Sequence, residues 1–248
     1  MIRKSVAILI LLTVGALLIP VESRINADQR AAHLRKPTLD LELRERIGQM
    51  GFLAALSGFR SPLAAILWIE AHNAWERTEW GRMAGLFDTV TTLQPRSPLY
   101  WDLSSWHMAY NASVAAREDA KQPSEILRKR AERQYIQLGK EILERGIRNN
   151  PDNAYLQNQL GIILRDKAND DCAAADAFLK ASELPGAPPY YARAAGYSMA
   201  KCPGREKEAY TLLKKLYDKG EDERKPSVIA NIKELEKKLD VPPAERIP

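Results

Sequence analysis

The chain has 248 residues, 45% of them apolar and 28% charged, which is enough to bury a core in one or two domains and too apolar for a disordered tail. Two cysteines and three histidines (His33, His72, His107) exclude a disulfide-dense scaffold, a four-cysteine zinc site and a His-rich metal site. The net charge of +5 comes from 37 basic and 32 acidic residues, well mixed along the chain, and is not the footprint of a nucleic-acid binder.

The first element is a membrane address. Arg3 and Lys4 precede an uncharged run over residues 5–21, whose centre is mostly Val, Ile, Leu and Ala. A basic leader followed by an apolar stretch is read by the export machinery. Residues 1–23 therefore read as an uncleaved single-pass anchor or as a signal cut near Val21-Glu22-Ser23; a cytosolic chain is the third reading. Either membrane reading puts the remainder in the periplasm of a bacterium. Arg24, Arg30, Arg35 and Lys36 run against that orientation, since positive charge usually stays inside.

Residues 24–38 are polar and read as a linker. Residues 39–60 follow with Ile47, Met50, Phe52, Leu53 and Leu56, a mostly apolar helix that covers the next unit or lies on the membrane surface. The lack of a strongly basic polar face weighs against the membrane surface.

From there a repeat period organises residues 61–225. Pro95, Pro151 and Pro185 each follow one amphipathic run and precede another. Pro151 to Pro185 is 34 residues; Pro95 to Pro151 is 56, one such period plus a 22-residue insertion at about 115–133. Between the last two prolines, Leu160, Gly161 and Leu164 fit a first helix and Ala174, Phe178 and Ala181 a second. Small residues at Gly161 and Ala174 let the helices approach, and Leu164 and Phe178 fill the space beside them. Weaker copies carry Leu67, Ala71 and Phe87; then Trp101 with Gly139, Leu143 and Gly146; then Gly196 with Ala209 and Leu213, closing at Gly220. Ser227 is placed to cap a last helix within 226–248, whose Lys/Glu-rich face suits the polar end of a stack.

These residues make 62–220 similar to the tetratricopeptide-repeat superfamily, whose helix–turn–helix units stack as a solenoid. The runs FRSPLAAILWIEA (59–71) and LQPRSPLYWDLSSWHMAYNASV (93–114) also resemble membrane-anchored bacterial repeat proteins of the verrucomicrobial and planctomycete type. The resemblance implies an all-α, tetratricopeptide-like solenoid on an N-terminal anchor, in the envelope, with no assigned chemistry. One unit matches nearly throughout, and the insertion departs from the pattern.

In that family, fixed positions of each first helix face a concave groove. Carried onto this chain, they are Trp68, His72 and Trp75; Asp102 and Trp106; Tyr155, Asn158 and Arg165; and Tyr190, Arg193 and Tyr197. Spacing supports the first set, since 68, 72 and 75 share a helix face. The aromatic residues suit a peptide or partner helix, or else pack in the core. Arg165 and Arg193 are placed to clamp a carboxylate, or are solvated side chains. In such a stack Cys172 and Cys202 fall at neighbouring turns, so in an oxidising compartment they form a disulfide, and otherwise are two small buried side chains.

The insertion carries Arg128, Lys129 and Arg130 beside Glu125 and Glu132, with Ser124 placed to cap a helix. Phosphate-binding glycine loops, nucleophile elbows and zinc-protease motifs are lacking, so no catalytic residue, metal or cofactor is expected. The expected function is a non-enzymatic scaffold for protein–protein interaction. It contacts the membrane through residues 5–21 and a protein or peptide of the envelope, for instance in assembly of a secretion, pilus or transport complex. The alternative is a structural subunit of a larger membrane complex.

Overall fold

Gly58 opens the described part of the chain; a computed structural model describes residues 58–248. The expected anchor (1–23), the linker (24–38) and most of the 39–60 helix lie outside the described residues. Among the described residues every regular element is helical, and no helix there is long and apolar enough to cross a membrane.

α1 (Arg60–Glu76) and α2 (Trp80–Leu93) form the first pair. α3 (Pro98–Trp106) continues without a break through a π-helical segment, His107–Ala112, into α4 (Ser113–Arg117). α5 (Glu125–Asn149) returns alongside it. Then come α6 (Ala154–Asp166), α7 (Asp171–Glu183), α8 (Tyr190–Lys201), α9 (Glu206–Tyr217) and α10 (Pro226–Lys238). Helices pack mainly on their neighbours in sequence: α1 on α2, the α3–α4 rod on α5, and then each helix from α5 to α10 on the next. Longer contacts join α3 to α6 and α8 to α10.

Local chemistry accounts for most of the boundaries. Asn153 caps α6 and Asp170 caps α7, their side-chain oxygens accepting from the Leu156 and Ala173 amides at 2.9 Å each. Ser124 caps α5 through the Leu127 amide at 3.4 Å. Pro98 and Pro226 open α3 and α10, where a missing N–H costs nothing. Ser227 therefore does not cap α10; its hydroxyl lies 2.7 Å from that of Tyr197. Pro95 ends the second helix of the first pair. Its carbonyl accepts from Trp101 Nε1 and Asn150 Nδ2, both at 2.9 Å, tying two proline turns together.

The insertion is absorbed as length. The α3–α4 rod and the 25-residue α5 run on together past the normal turn, instead of looping out. Their crossing is tight: a Cβ on Gly139 would lie 2.7 Å from the Ala109 Cβ, and one on Gly146 2.7 Å from the Trp101 ring. The Ser105 hydroxyl donates to the Gly139 carbonyl at 2.8 Å across the same crossing.

In the later pairs burial repeats every 35 residues, one more than the proline spacing. Leu156 and Tyr191, Leu160 and Ala195, Leu164 and Met199, Ala174 and Ala209, Phe178 and Leu213, and Ala181 and Leu216 are all buried. The extra residue falls in the 184–189 connection. Gly161 and Gly196 fall on the same period. Each lies against the large residue 17 positions on, Phe178 and Leu213, closer than any side chain would allow. The end of the chain folds back: Val241 and Ile247 are buried, and the Ile247 amide donates to buried Glu236 at 2.7 Å.

Candidate functional site: an aromatic face

α1, α2 and the α3–π segment bring three of the five tryptophans, with Phe87, Tyr100, Tyr110 and two histidines, onto one face. Trp68 leans on Phe87 and on Tyr100, ring centroids 5.1 Å apart in both cases. Trp75 lies 5.2 Å from His72 on one side and 5.9 Å, edge-on, from His107 on the other. His107 also meets Phe87 at 5.6 Å and Trp106, edge-on, at 5.1 Å. Trp106 stacks on Tyr110 at 6.2 Å, and Lys167 at the end of α6 sets its ammonium 4.9 Å from the Tyr110 centroid. The rings run unbroken from Tyr100 to Tyr110, with His107 as their hub.

The face is neither core nor free surface. Trp68 and Trp75 are half-buried, His72 is exposed and Trp106 is 45% exposed. The four sequence-derived aromatic-face residues, Trp68, His72, Trp75 and Trp106, are thus drawn together. His107 and Tyr110 join them: Tyr110 follows Trp106 by four residues, a spacing that shares a helix face, and His107 reaches Trp75 and Phe87 on the other two helices. Burial pushes the His107 imidazole below its ordinary 6.5, and nearby His72 pushes it the same way. Burial also raises the Tyr110 phenol. Asn111 Nδ2 lies 3.0 Å from His107 Nδ1.

A second cluster bridges α3 and α6. The Tyr155 hydroxyl donates to Asp102 Oδ2 at 2.6 Å and accepts from Gln159 Nε2 at 2.7 Å. Burial raises the Asp102 carboxyl against the opposing pull of these partners. Burial and the Asp102 hydrogen bond push Tyr155 up to about 12. Tyr190, largely exposed, stands edge-on to buried Tyr191 at 4.7 Å. Gln159 and Lys167 are the polar members that position counting along first helices passes over.

The remaining expected groove residues are placed differently. Asn158 is 4% exposed, because α6 is flanked by α3, α5 and α7 and keeps little free surface. The carboxylate clamp is already occupied from within the chain. Arg165 Nε and Nη2 donate to both oxygens of Asp166 at 2.6 and 3.2 Å, over the Phe178 ring. Arg193 donates to Glu223 at 2.7 Å, both side chains largely buried. Arg165 takes the carboxylate next to it in its own helix, whereas Arg193 takes one 30 residues further on. Tyr197 shares its hydroxyl with Ser227.

Cys172, in the first turn of α7, and Cys202, capping the end of α8, are joined by a disulfide with Cα atoms 4.9 Å apart. Among the described residues no group of three or more His, Cys, Asp or Glu side chains is arranged to hold a metal. What the aromatic face offers a ligand is stacking area and N–H donors. No family model matches the chain, and no curated protein matches it as a relative.

Proposed function

We propose that this chain is a membrane-tethered scaffold of the tetratricopeptide type that holds a protein or peptide of the cell envelope against its aromatic face. The observation that carries this reading is the unbroken run of rings, Trp68–Phe87–His107–Trp75 and His107–Trp106–Tyr110, half open to solvent across two helical units. Large rings left partly wet at a junction of elements are the usual anchors of protein recognition. The matched Gly161–Phe178 and Gly196–Leu213 approaches support the repeat reading. The Cys172–Cys202 bond supports an oxidising compartment such as the periplasm.

A photoreactive amino acid in place of Trp106, in the full-length chain in intact cells, tests this. An envelope protein crosslinked from position 106 and absent when the label sits at exposed Ile126 supports the reading. Equal or no crosslinking from both sites counts against it.

One observation favours the second reading, a structural subunit. Phe59, at the N-cap of α1, and Ile66 and Ile69 along it form an outward stripe, 63%, 57% and 61% exposed, away from the residues that α1 buries. An apolar stripe of this kind marks a surface for contact with a partner. A chain beginning at residue 37 that is soluble and monomeric speaks for the groove binder; one that aggregates without partners speaks for the subunit.

A further inference from the structure

The polar groups that the aromatic rings turn to solvent are mostly donors, the Tyr110 hydroxyl being able both to donate and to accept. An indole Nε1 only donates. Those of Trp68, Trp75 and Trp106 have no hydrogen-bond partner among the described residues. Nor do they figure among the buried atoms left unpaired, so each reaches solvent. Trp101 is the contrast, its Nε1 spent on the Pro95 carbonyl. His107 adds a fourth donor. With the Asn111 amide nitrogen donating to Nδ1, the neutral ring carries its proton on Nε2, which has no partner among the described residues. Neighbouring acceptors are engaged: Glu76 faces His72 at 3.5 Å, and Asp102 accepts from Tyr155. Lys167 is held over Tyr110.

A matching ligand is rich in acceptors and poor in donors, and carries flat apolar rings. A proline-rich segment does both. Proline has no N–H, and the polyproline II helix leaves its carbonyls unpaired and pointing outward. Its conformation is largely set before binding, so little entropy is lost on docking. Pyrrolidine rings pack on aromatic side chains, the mode by which unrelated small domains read such segments. Trp75 and Trp106 flank His107 at 5.9 and 5.1 Å, so their rings lie no more than about 11 Å apart, a span that four residues of polyproline II, at about 3.1 Å each, cover.

We propose that Trp75, Trp106, His107 and Tyr110 form a binding face for a proline-rich, polyproline II segment of the partner. This rests on the peptide-binding reading above and narrows its ligand class.

The test uses the full-length chain in mild detergent and fluorescein-labelled decaproline, followed by fluorescence anisotropy. A Gly-Ser decamer, an acidic decamer and an amphipathic helical peptide serve as comparisons. Saturable binding of decaproline in preference to the other three is expected. Trp106→Ala should weaken it about ten-fold, as for an anchoring aromatic residue. Trp106→Phe, which keeps the ring and removes the donor, should weaken it roughly three-fold, the worth of one net hydrogen bond. Ile126→Ala, away from the rings, should leave it unchanged.

Decaproline binding no better than Gly-Ser, or binding that survives Trp106→Ala, overturns the proposal. If the helical or acidic peptide binds instead and is lost in Trp106→Ala, the proline inference falls and the peptide-binding reading stands. If no peptide binds and the photoreactive label at 106 captures no envelope protein in cells, both fall.

Discussion

Gly161 lies so close to Phe178 that a Cβ built on it would sit 2.6 Å from the ring edge. Phe178 is almost wholly buried, with Arg165 over its other side, so the ring has nowhere to go. Alanine at 161 gains helix propensity of about 1 kcal/mol, but overpacking a fixed core costs about 1–3 kcal/mol. Gly161→Ala should therefore destabilise by a net of up to about 2 kcal/mol in urea unfolding, and Gly161→Ala/Phe178→Leu should recover part of it. Gly196→Ala against Leu213 should cost less, because a leucine tip yields more readily than a ring. Stability raised by the full helix-propensity gain of about 1 kcal/mol in Gly161→Ala would mean that the two helices are not in close contact here.

The Cys172–Cys202 bond closes a separation of 30 residues between the start of α7 and the end of α8. Loop-closure entropy for that length corresponds to about 3.5 kcal/mol taken from the unfolded chain. Cys172→Ala/Cys202→Ala, or reduction of the native chain, should lower the thermal midpoint accordingly. The double alanine variant should be indifferent to reductant. A native chain whose two thiols react with a thiol label before reduction would contradict the pairing.

Small residues and prolines are what made this chain legible. Gly161, Gly196, Ala174 and Ala209 mark close approaches, and an approach of two helices demands a small side chain whatever the surrounding sequence. Cys172 and Cys202 are legible for a similar reason, since they end adjacent connections. What stayed hidden depends on partners far along the chain. Glu223 lies in a connection 30 residues after Arg193, with no local pattern to link them. Asn158 looks like a groove residue on one helix and is buried only because three others flank α6. His107 and Tyr110 lie outside the counted groove positions; Tyr110 is four residues from Trp106, and His107 joins the face through Trp75 and Phe87, contacts between helices that no single-helix count contains.

Arg193 and Glu223, joined at 2.7 Å with most of both side chains out of water, fasten α8 to the connection before α10. Removing one partner leaves a poorly hydrated charge. Arg193→Gln and Glu223→Gln should each cost about 2–3 kcal/mol, somewhat less than a fully buried pair. The double variant should cost clearly less than the two singles together. Strict additivity in denaturant unfolding would mean that the pair is not formed in solution. A free acetylated peptide carboxylate should not compete for this Arg.

His107 makes the aromatic face sensitive to acid. Trp75 and His72 of α1, Phe87 of α2, and Trp106 and Asn111 of its own helix surround it. None of these neighbours is an anion; Glu76 faces His72 instead. Burial and His72 hold the folded imidazole below 6.5, so the fold favours its neutral form. A base lowered in this way contributes stability that is complete above its unfolded value, and that stability is lost as pH falls from 6.5 toward the lowered value. The thermal midpoint should therefore fall between pH 7 and pH 5, and the fall should be smaller in His107→Gln, which keeps a hydrogen-bonding group beside Asn111. A His107 ring proton followed by NMR should titrate below 6.5. Titration above that value would place an unseen negative charge beside the ring and reverse the sign of the effect.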